Sequence, residues 1–298
     1  MVKSVLKEVA PRLREVLAAI DNWEQVEEIR LRLNRPLVIK GRFGEYGINY
    51  FMQKCQVIDS YIVTNEDISR TIQIMSKNSW YALEEEVRSG YLTLENGHRV
   101  GIVGKVILEQ GRIKNIKHVS GLNIRLAREI RGSANQIMRQ LFLQGELLST
   151  LIISPPGCGK TTLLRDIARQ LSNQGFNVVI IDERSEIAAC YHGCPQLDVG
   201  LRTDVLDGCP KAEGITMALR GMSPQLIITD EIGHPADGLA LAEAMKSGVK
   251  VISSCHGDSL ADVRQRQWVK ECSSLFQQAI VLSRRNGPGT IEQVLKWK

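Results

Sequence analysis

The chain has 298 residues, of which 43% are hydrophobic and 24% are charged. This mixture is typical of globular proteins and argues against long disordered segments. No apolar run approaches the roughly 20 residues that a membrane-spanning helix needs, so we do not expect an integral membrane protein. Seven cysteines, and an N-terminus without the pattern of a secretory signal, favour reduced thiols in a cytoplasmic protein.

The formal net charge of +5 is carried mainly by the first 130 residues. This part has 20 Lys and Arg against 16 Asp and Glu, a balance of +4, and the rest has 18 against 17, a balance of +1. So mild an excess usually belongs to a solvated surface, although it leaves nucleic acid or anionic lipid open as a partner. The basic residues Arg264, Arg266, Lys270, Arg284 and Arg285 fit a subunit interface, a lipid contact or a solvated face, and the solvated face is the default expectation.

The first 130 residues combine helical and strand-like patterns. Apolar residues between Val5 and Ile20 recur at helical spacing and predict an amphipathic helix. Apolar and polar residues alternate from Ile29 to Leu33, which predicts a half-buried strand. Further on, Thr64 and Asp67 have the spacing of a capping box at the start of a second helix, and Asn96-Gly97 favours a tight hairpin. These patterns predict a small α+β domain.

From about residue 132, strand-like apolar runs alternate with helical stretches. This alternation predicts an α/β domain with a parallel sheet covered by helices on both faces. We therefore expect an N-terminal domain at residues 1–130 and a second domain at residues 131–298, with a helix beginning near Ser133. The apolar runs are Thr150–Ile153, Val178–Ile181, Leu226–Thr229, Val249–Ser253 and Ala279–Leu282.

The most specific motif, SPPGCGKT, runs from Ser154 to Thr161 between a predicted strand and a predicted helix. It matches the phosphate-loop pattern G-x-x-x-x-G-K-[ST], except that Ser154 replaces the first glycine. The amides of such a turn and the positive helix end bind phosphates, Lys160 would neutralise their charge, and Thr161 would bind Mg²⁺. The expected ATP-binding residues are Pro155, Pro156, Gly157, Cys158, Gly159, Lys160, Thr161 and Thr162.

Three later strands also end in polar residues, and the carboxyl ends of parallel strands meet at the edge where ligands bind. Asp230 is expected to hold Mg²⁺, and Glu231 to polarise the attacking water. Glu183 is an alternative base or a group that orients the water. His256 is expected to sense the γ-phosphate or to contact Glu231.

Two questions stay open at this point. The strand end that carries Glu183 is also explained by a surface ion pair between Asp182 and Arg184. Phosphoryl transfer calls for a further cation, since a phosphate loop alone leaves the developing charge under-neutralised. Each candidate for such an arginine fits a surface ion pair equally well; they are Arg220, Arg202, Arg125 and Arg128.

The order of these motifs resembles that of the secretion and pilus-retraction ATPases, which have a Walker A loop, an acidic box, a Walker B strand and a histidine box. Ser154–Thr161, Asp182-Glu183, Asp230-Glu231 and His256 fill these places in that order. The segments DERSEIA at 182–188 and RTDVLD at 202–207 further resemble a sporulation stage III family of endospore-forming bacteria.

The resemblance implies a RecA-like P-loop ATPase domain behind the α+β domain, and it adds Arg220 to the catalytic residues. It implies Mg²⁺-dependent hydrolysis of ATP that powers assembly of, or transport through, a membrane-embedded secretion-like channel during endospore formation. The expected assembly is a homo-oligomer, a hexameric ring, peripheral to a membrane complex on the cytoplasmic side of the mother cell.

Two other functions fit the same motifs. A nucleic-acid-stimulated RecA-like ATPase would share the core, but aromatic residues do not interleave with basic ones as single-strand binding sites require. A nucleic-acid partner is therefore not expected. A nucleotide-gated scaffold would bind ATP without turnover, and the carboxylate of Glu231 argues against it.

Overall fold

The computed structural model describes residues 2–77, 79, 87–88, 90–272 and 276–297. The chain divides into two compact units, Met1–Arg128 and Glu129–Lys298, and each unit has its own hydrophobic core. None of the helices in the described residues has the length and apolar character of a membrane span.

The first unit begins with two short helices in place of the single amphipathic helix expected from the sequence. A 3₁₀ helix spans Val2–Glu8, and helix α1 spans Pro11–Ala18. Pro11 separates them, because its ring fixes φ and drives the preceding residue, Ala10, out of the helical region (φ −52°, ψ 147°). Apolar side chains on both sides of this break still lie in the core.

Helix α2, Asn65–Met75, starts at the predicted capping box. The Thr64 hydroxyl accepts a hydrogen bond from the amide of Asp67 (3.2 Å), and the Asp67 carboxylate accepts one from the amide of Thr64 (2.8 Å). Two amides are thereby satisfied that the first turn of a helix leaves unpaired. The hydroxyl of Tyr61 donates to the same carboxylate (2.8 Å) and ties this cap to the buried core.

Seven strands in the described part of the first unit form one antiparallel sheet, in the order β4-β3-β2-β1-β7-β6-β5. Asn96 and Gly97 have φ angles of 74° and 77° and form the predicted hairpin turn between the last two strands of that order. The strands are β1 (Val26–Arg32), β2 (Val38–Gly41), β3 (Gly44–Ile48), β4 (Lys54–Cys55), β5 (Tyr91–Thr93), β6 (Arg99–Glu109) and β7 (Arg112–Arg125).

The second unit is built on a mostly parallel sheet. After the small hairpin of β8 (Phe142–Leu143) and β9 (Glu146–Leu147), its strands are β10 (Thr150–Ser154), β11 (Val178–Asp182), β12 (Thr203–Asp207), β13 (Leu226–Thr229), β14 (Lys250–His256), β15 (Gln278–Ser283) and β16 (Thr290–Lys296). Their order is β12-β11-β13-β14-β10-β15-β16, and only the pairing of the last two is antiparallel within these described strands. The five predicted strands and their parallel arrangement are confirmed.

Helices cover both faces of this sheet, because successive strand residues point to opposite sides. Ile152 of β10 lies in one core and its neighbours Leu151 and Ile153 lie in the other. The helices of the unit are α3 (Lys160–Asn173), α4 (Lys211–Gly221), α5 (Pro235–Lys246), α6 (Leu260–Arg264) and α7 (Gln267–Cys272).

The structure of the second unit differs from the sequence prediction in two places. The edge strands β12 and β16 were missed, because half-exposed edge strands lack the continuous apolar run of buried ones. The helix expected near Ser133 is instead a series of turns followed by a 3₁₀ helix at Met138–Leu141. The amide of Ala134 in these turns donates to the carboxylate of Asp166 in α3 (2.8 Å), which ties the segment to that helix.

The packing of β3 yields a test of the first core. A Cβ atom on Gly47 would lie 2.4 Å from Cβ of Ser60, closer than packed atoms tolerate. We expect Gly47→Ala to lower the free energy of unfolding by about 2 kcal/mol through overpacking. Urea denaturation followed by tryptophan fluorescence would measure it. Gly101→Ala is the control, because its Cβ would meet Asn123 at an ordinary 3.6 Å, and an equal loss there would contradict the overpacking argument.

Candidate nucleotide site

The phosphate loop joins β10 to α3 at the carboxyl edge of the parallel sheet. Gly157 (φ 71°) and Gly159 (φ 84°) have left-handed conformations that other residues rarely adopt. Gly159 is also the N-cap of α3, and no side chain caps this helix end or competes for its first amides. Such a turn with an uncapped helix N-terminus suits an anionic phosphate.

Lys160 lies buried behind this loop. Its Nζ atom is 3.3 Å from the carbonyl oxygens of Ser154 and Pro155 and 3.2 Å from Nδ1 of His256. Burial lowers the pKa of Lys160, and the nearby carboxylate of Glu231 opposes that shift. Ser154 is the last residue of β10 and is not among the residues with positive φ, so its replacement of the usual glycine carries no backbone strain.

The other residues predicted to bind the nucleotide lie in the same loop or in the first turn of α3. The carbonyl of Pro156 accepts a weak hydrogen bond from the thiol of Cys158 (3.9 Å). Thr161 and Thr162 follow Lys160 in the helix, and the carbonyl of Thr162 accepts a hydrogen bond from the hydroxyl of Ser133 (3.3 Å). The expected cradle is therefore one continuous turn of chain.

Asp230 follows β13 at the same edge of the sheet and is 1% exposed. Among the described residues, both of its carboxylate oxygens are buried without a hydrogen-bond donor, and Nζ of Lys211 lies 3.8 Å from Oδ1. Burial raises the pKa of Asp230 to about 6. A buried carboxylate with unsatisfied oxygens fits a divalent cation such as Mg²⁺, which prefers oxygen ligands.

Glu231 is held in a strained backbone conformation with φ of 34°, a feature that concentrates at functional sites. Its carboxylate contacts Nε2 of His256 (3.0 Å) through one oxygen and Nη1 of Arg184 (3.1 Å) through the other. Its amide donates to the hydroxyl of Ser254 in β14 (3.1 Å). The contact between His256 and Glu231 is one of the two arrangements expected from the sequence.

His256 connects the two halves of the site. Its Nδ1 atom faces Lys160 on the phosphate loop, and its Nε2 atom faces Glu231 beyond β13. A single imidazole therefore couples the cation that would bind phosphate to the carboxylate that would activate water.

The acidic end of β11 has two distinct roles. Asp182 is fully buried, and its carboxylate accepts hydrogen bonds from the amides of residues 186, 187 and 188 at 2.8–3.0 Å. The alternative of a surface pair between Asp182 and Arg184 is therefore wrong, since Arg184 pairs with Glu231. Glu183 forms an ion pair with the buried Lys211, so its carboxylate is already engaged.

Sequence reasoning missed Arg184 and Lys211 as site residues. Arg184 had been considered only as a surface partner, and Lys211 carries no local motif. Arg184 reaches the site because the segment that follows β11 is held in place from two sides. Asp182 accepts hydrogen bonds from its amides, and the buried Arg165 of α3 donates to the carbonyls of Glu186 and Ile187. Lys211 reaches Glu183 and Asp230 because α4 begins at this edge of the sheet.

The arginine candidates from the sequence lie elsewhere. Arg220 is exposed in the last turn of α4, about 14 Å along the helix from Lys211, whose side chain reaches the site. Arg202 precedes the first residue of β12, so it lies at the amino ends of the parallel strands, away from the phosphate loop at their carboxyl ends. Its guanidinium donates to the carbonyl of Gly175 (3.4 Å). Arg125 and Arg128 belong to the first unit. The structure thus does not bring Arg220 to Glu231, Glu183 and His256.

The fold is shared with the ATPase DotB and the pilus retraction motor PilT. The ATPase DotB of Yersinia pseudotuberculosis superposes with a TM-score of 0.60 at 14% sequence identity, covering 96% of this chain and 78% of that chain. The pilus retraction motor PilT, solved with bound ADP, superposes with a TM-score of 0.56 at 14% identity, covering 91% and 76%. These similarities confirm the predicted fold class, in which a P-loop ATPase domain follows a smaller N-terminal sheet domain along the chain.

The family follows from the sequence itself. A family model described as "Sporulation stage III, protein AA" matches residues 2–298. Stage III sporulation protein AA of Bacillus subtilis (strain 168) is 43% identical over 299 residues, covering 97% of this chain and 94% of that protein. The chain therefore belongs to the sporulation stage III protein AA family, as its motifs had indicated.

The buried carboxylate of Asp230 yields a test of the site's electrostatics. The pKa of this carboxyl is about 6 in the folded protein, against an ordinary value of about 4. The free energy of unfolding therefore falls as the pH rises through this range, because the buried group must then lose its proton. We expect Asp230→Asn to raise the free energy of unfolding by about 2 kcal/mol near pH 7.5 in metal-free buffer, and by less as the pH falls below 6.

Urea denaturation at several pH values would measure this difference. Asp204→Asn, on the exposed edge strand β12, is the control and should change stability little at any pH. A gain for Asp230→Asn that does not depend on pH would show that ionisation of the carboxylate is not its cause.

Proposed function

We propose that the chain is a Mg²⁺-dependent ATPase. The observation that carries the proposal is the buried and unsatisfied carboxylate of Asp230 at the sheet edge that also holds the phosphate loop. A phosphate cradle and an oxygen ligand for a divalent cation are the two parts that binding of a nucleoside triphosphate with its metal requires.

Each residue then has a defined task. The amides of the loop and Lys160 bind the phosphates, and Thr161 and Asp230 would hold Mg²⁺, which neutralises charge on the phosphate oxygens. Glu231 orients and deprotonates the attacking water. His256 lies between Lys160 and Glu231 and is the group that registers whether phosphate has drawn Lys160 away from it.

Arg184 replaces Arg220 as the arginine of this site in our proposal. It is 59% exposed and already contacts the carboxylate of Glu231, so its guanidinium reaches the position where water would be activated. A mobile cation beside the general base stabilises the charge that develops on the transferring phosphoryl group. Glu183, tied to Lys211, positions that lysine near Asp230 and is a weaker candidate for the base.

The cellular task we propose follows from family and fold together. The proteins that share this fold include the ATPase DotB and the pilus retraction motor PilT, and the family is a sporulation family. We propose that ATP hydrolysis drives assembly of, or transport through, a membrane-embedded secretion-like channel during endospore formation. The chain would act as a homo-oligomeric ring of six subunits in the cytoplasm of the mother cell, peripheral to that membrane complex.

A nucleotide-gated scaffold is the second candidate, and one observation favours it. Both carboxylate oxygens of Glu231 already have a cationic or imidazole partner, Arg184 and His256, so an attacking water must compete with these contacts. A protein that binds ATP but releases Glu231 only inside a larger assembly would behave as a scaffold on its own.

Two substitutions separate binding from chemistry. We expect Lys160→Ala to weaken ATP binding at least about 100-fold, because it removes the buried cation behind the phosphate loop. Glu231→Gln should retain binding and lose at least about 100-fold in turnover, because the amide cannot accept a proton from water. Calorimetric titration and phosphate release would measure the two effects. Turnover retained in pure Glu231→Gln protein would transfer the role of base to Glu183.

Assembly is tested by the concentration dependence of turnover. We expect the specific activity to rise with protein concentration, in step with the mass measured by light scattering in ATP and Mg²⁺, because a ring completes its site between subunits. Lys160→Ala protein mixed with the wild type should lower activity more than dilution alone. Constant activity from a stable monomer would contradict the ring and leave the monomeric site sufficient.

A further inference from the structure

The turn between β15 and β16, residues 284–289, lies directly against the phosphate loop. The amide of Gly289 donates to the carbonyl of Cys158 (2.8 Å). A Cβ atom on Gly159 would lie 3.5 Å from the amide nitrogen of Gly289 and 3.6 Å from Cβ of Pro288. A backbone hydrogen bond and a proline in contact thus fix this hairpin turn against the loop.

Arg284, the first residue of this turn, brings a cation to the loop. A Cβ atom on Gly157 would lie 3.4 Å from Nη1 and 3.9 Å from Cζ of Arg284, so the guanidinium lies beside the central glycine of the cradle. The residue is exposed, and no acidic side chain within the described ranges forms an ion pair with it. The next residue, Arg285, is instead paired with Glu292 (3.6 Å).

We propose that Arg284 binds a phosphate group of the nucleotide held by the loop, so that the C-terminal hairpin forms one wall of the site. An arginine suits this task because its planar guanidinium donates two parallel hydrogen bonds to phosphate oxygens. The subunit that holds the loop thereby supplies a further cation of its own, in addition to Lys160 and Arg184. This inference rests on the proposed function only in requiring that the loop binds polyphosphate.

The approach to Gly157 favours phosphate over the base as the contact. The glycines of such a loop are the positions where backbone comes closest to the phosphates, and the guanidinium lies against one of them. A guanidinium also stacks on aromatic faces, so a contact with the adenine ring is the competing arrangement that an experiment must separate.

The experiment compares ATP with inorganic tripolyphosphate, a probe that has phosphates and no base. Binding of both to the full chain in Mg²⁺ would be measured by calorimetric titration for the wild type, Arg284→Ala, Arg284→Lys and Arg285→Ala. We expect Arg284→Ala to weaken both ligands about tenfold, Arg284→Lys to recover part of the loss, and Arg285→Ala to change binding less than about twofold. Circular dichroism would verify that each variant folds.

Other outcomes overturn the assignment in distinguishable ways. Weaker ATP binding with unchanged tripolyphosphate binding would place Arg284 on the base or ribose. Equal losses for Arg284→Ala and Arg285→Ala would reduce the effect to general positive charge. Unchanged binding by Arg284→Ala, with a wild type that binds both ligands, would remove the contact and leave the proposed function intact. A wild type that binds neither ligand would overturn the proposed function and this assignment together.

Discussion

The parallel register of β10, β11, β13 and β14 is the constraint on which the site depends. Hydrogen bonding between β10 and β14 sets Ser154 opposite His256, and pairing of β11 with β13 sets Ile181 opposite Thr229. Residues that follow these positions therefore emerge at one edge of the sheet. This register, together with the loop that returns Lys160 to the end of β10, brings Lys160 and His256 within hydrogen-bond distance although they lie 96 residues apart in sequence.

The same edge concentrates features that work against stability. Asp230 is a buried carboxylate without hydrogen-bond donors among the described residues, Lys160 is a buried ammonium with a lowered pKa, and Glu231 has a strained backbone. Desolvated charge and backbone strain persist only where the surrounding structure holds them. Here the three fully buried strands β10, β11 and β13 and the hydrogen bonds of the Asp182 carboxylate provide that support. Binding of a nucleotide with its metal would satisfy these groups, which is the physical reason to expect tight coupling between ligand and stability.

Three segments from different parts of the chain converge on the phosphate loop or on Glu231 beside it. Arg184 arrives on the turn after β11, His256 at the end of β14, and Arg284 on the hairpin that closes the sheet. Each contributes a cationic or titratable group beside the loop, which is the charge that the proposed binding of a nucleotide's phosphates calls for.

The sequence by itself determined the parts of this protein whose signal is local. Periodic apolar runs predicted the buried strands, Thr64 and Asp67 predicted a helix start, and the glycine pattern with Lys160 predicted the phosphate loop, because each depends on neighbouring residues. Only the tertiary structure decided which distant charges meet. Lys211 and Arg284 lie in segments without motifs, and the motif around Arg184 does not reveal its partner Glu231. Arg220 lies on a helix whose other end reaches the site. Such contacts depend on the register of the strands and on the direction of the helices, which are properties of the whole fold and not of any single stretch of sequence.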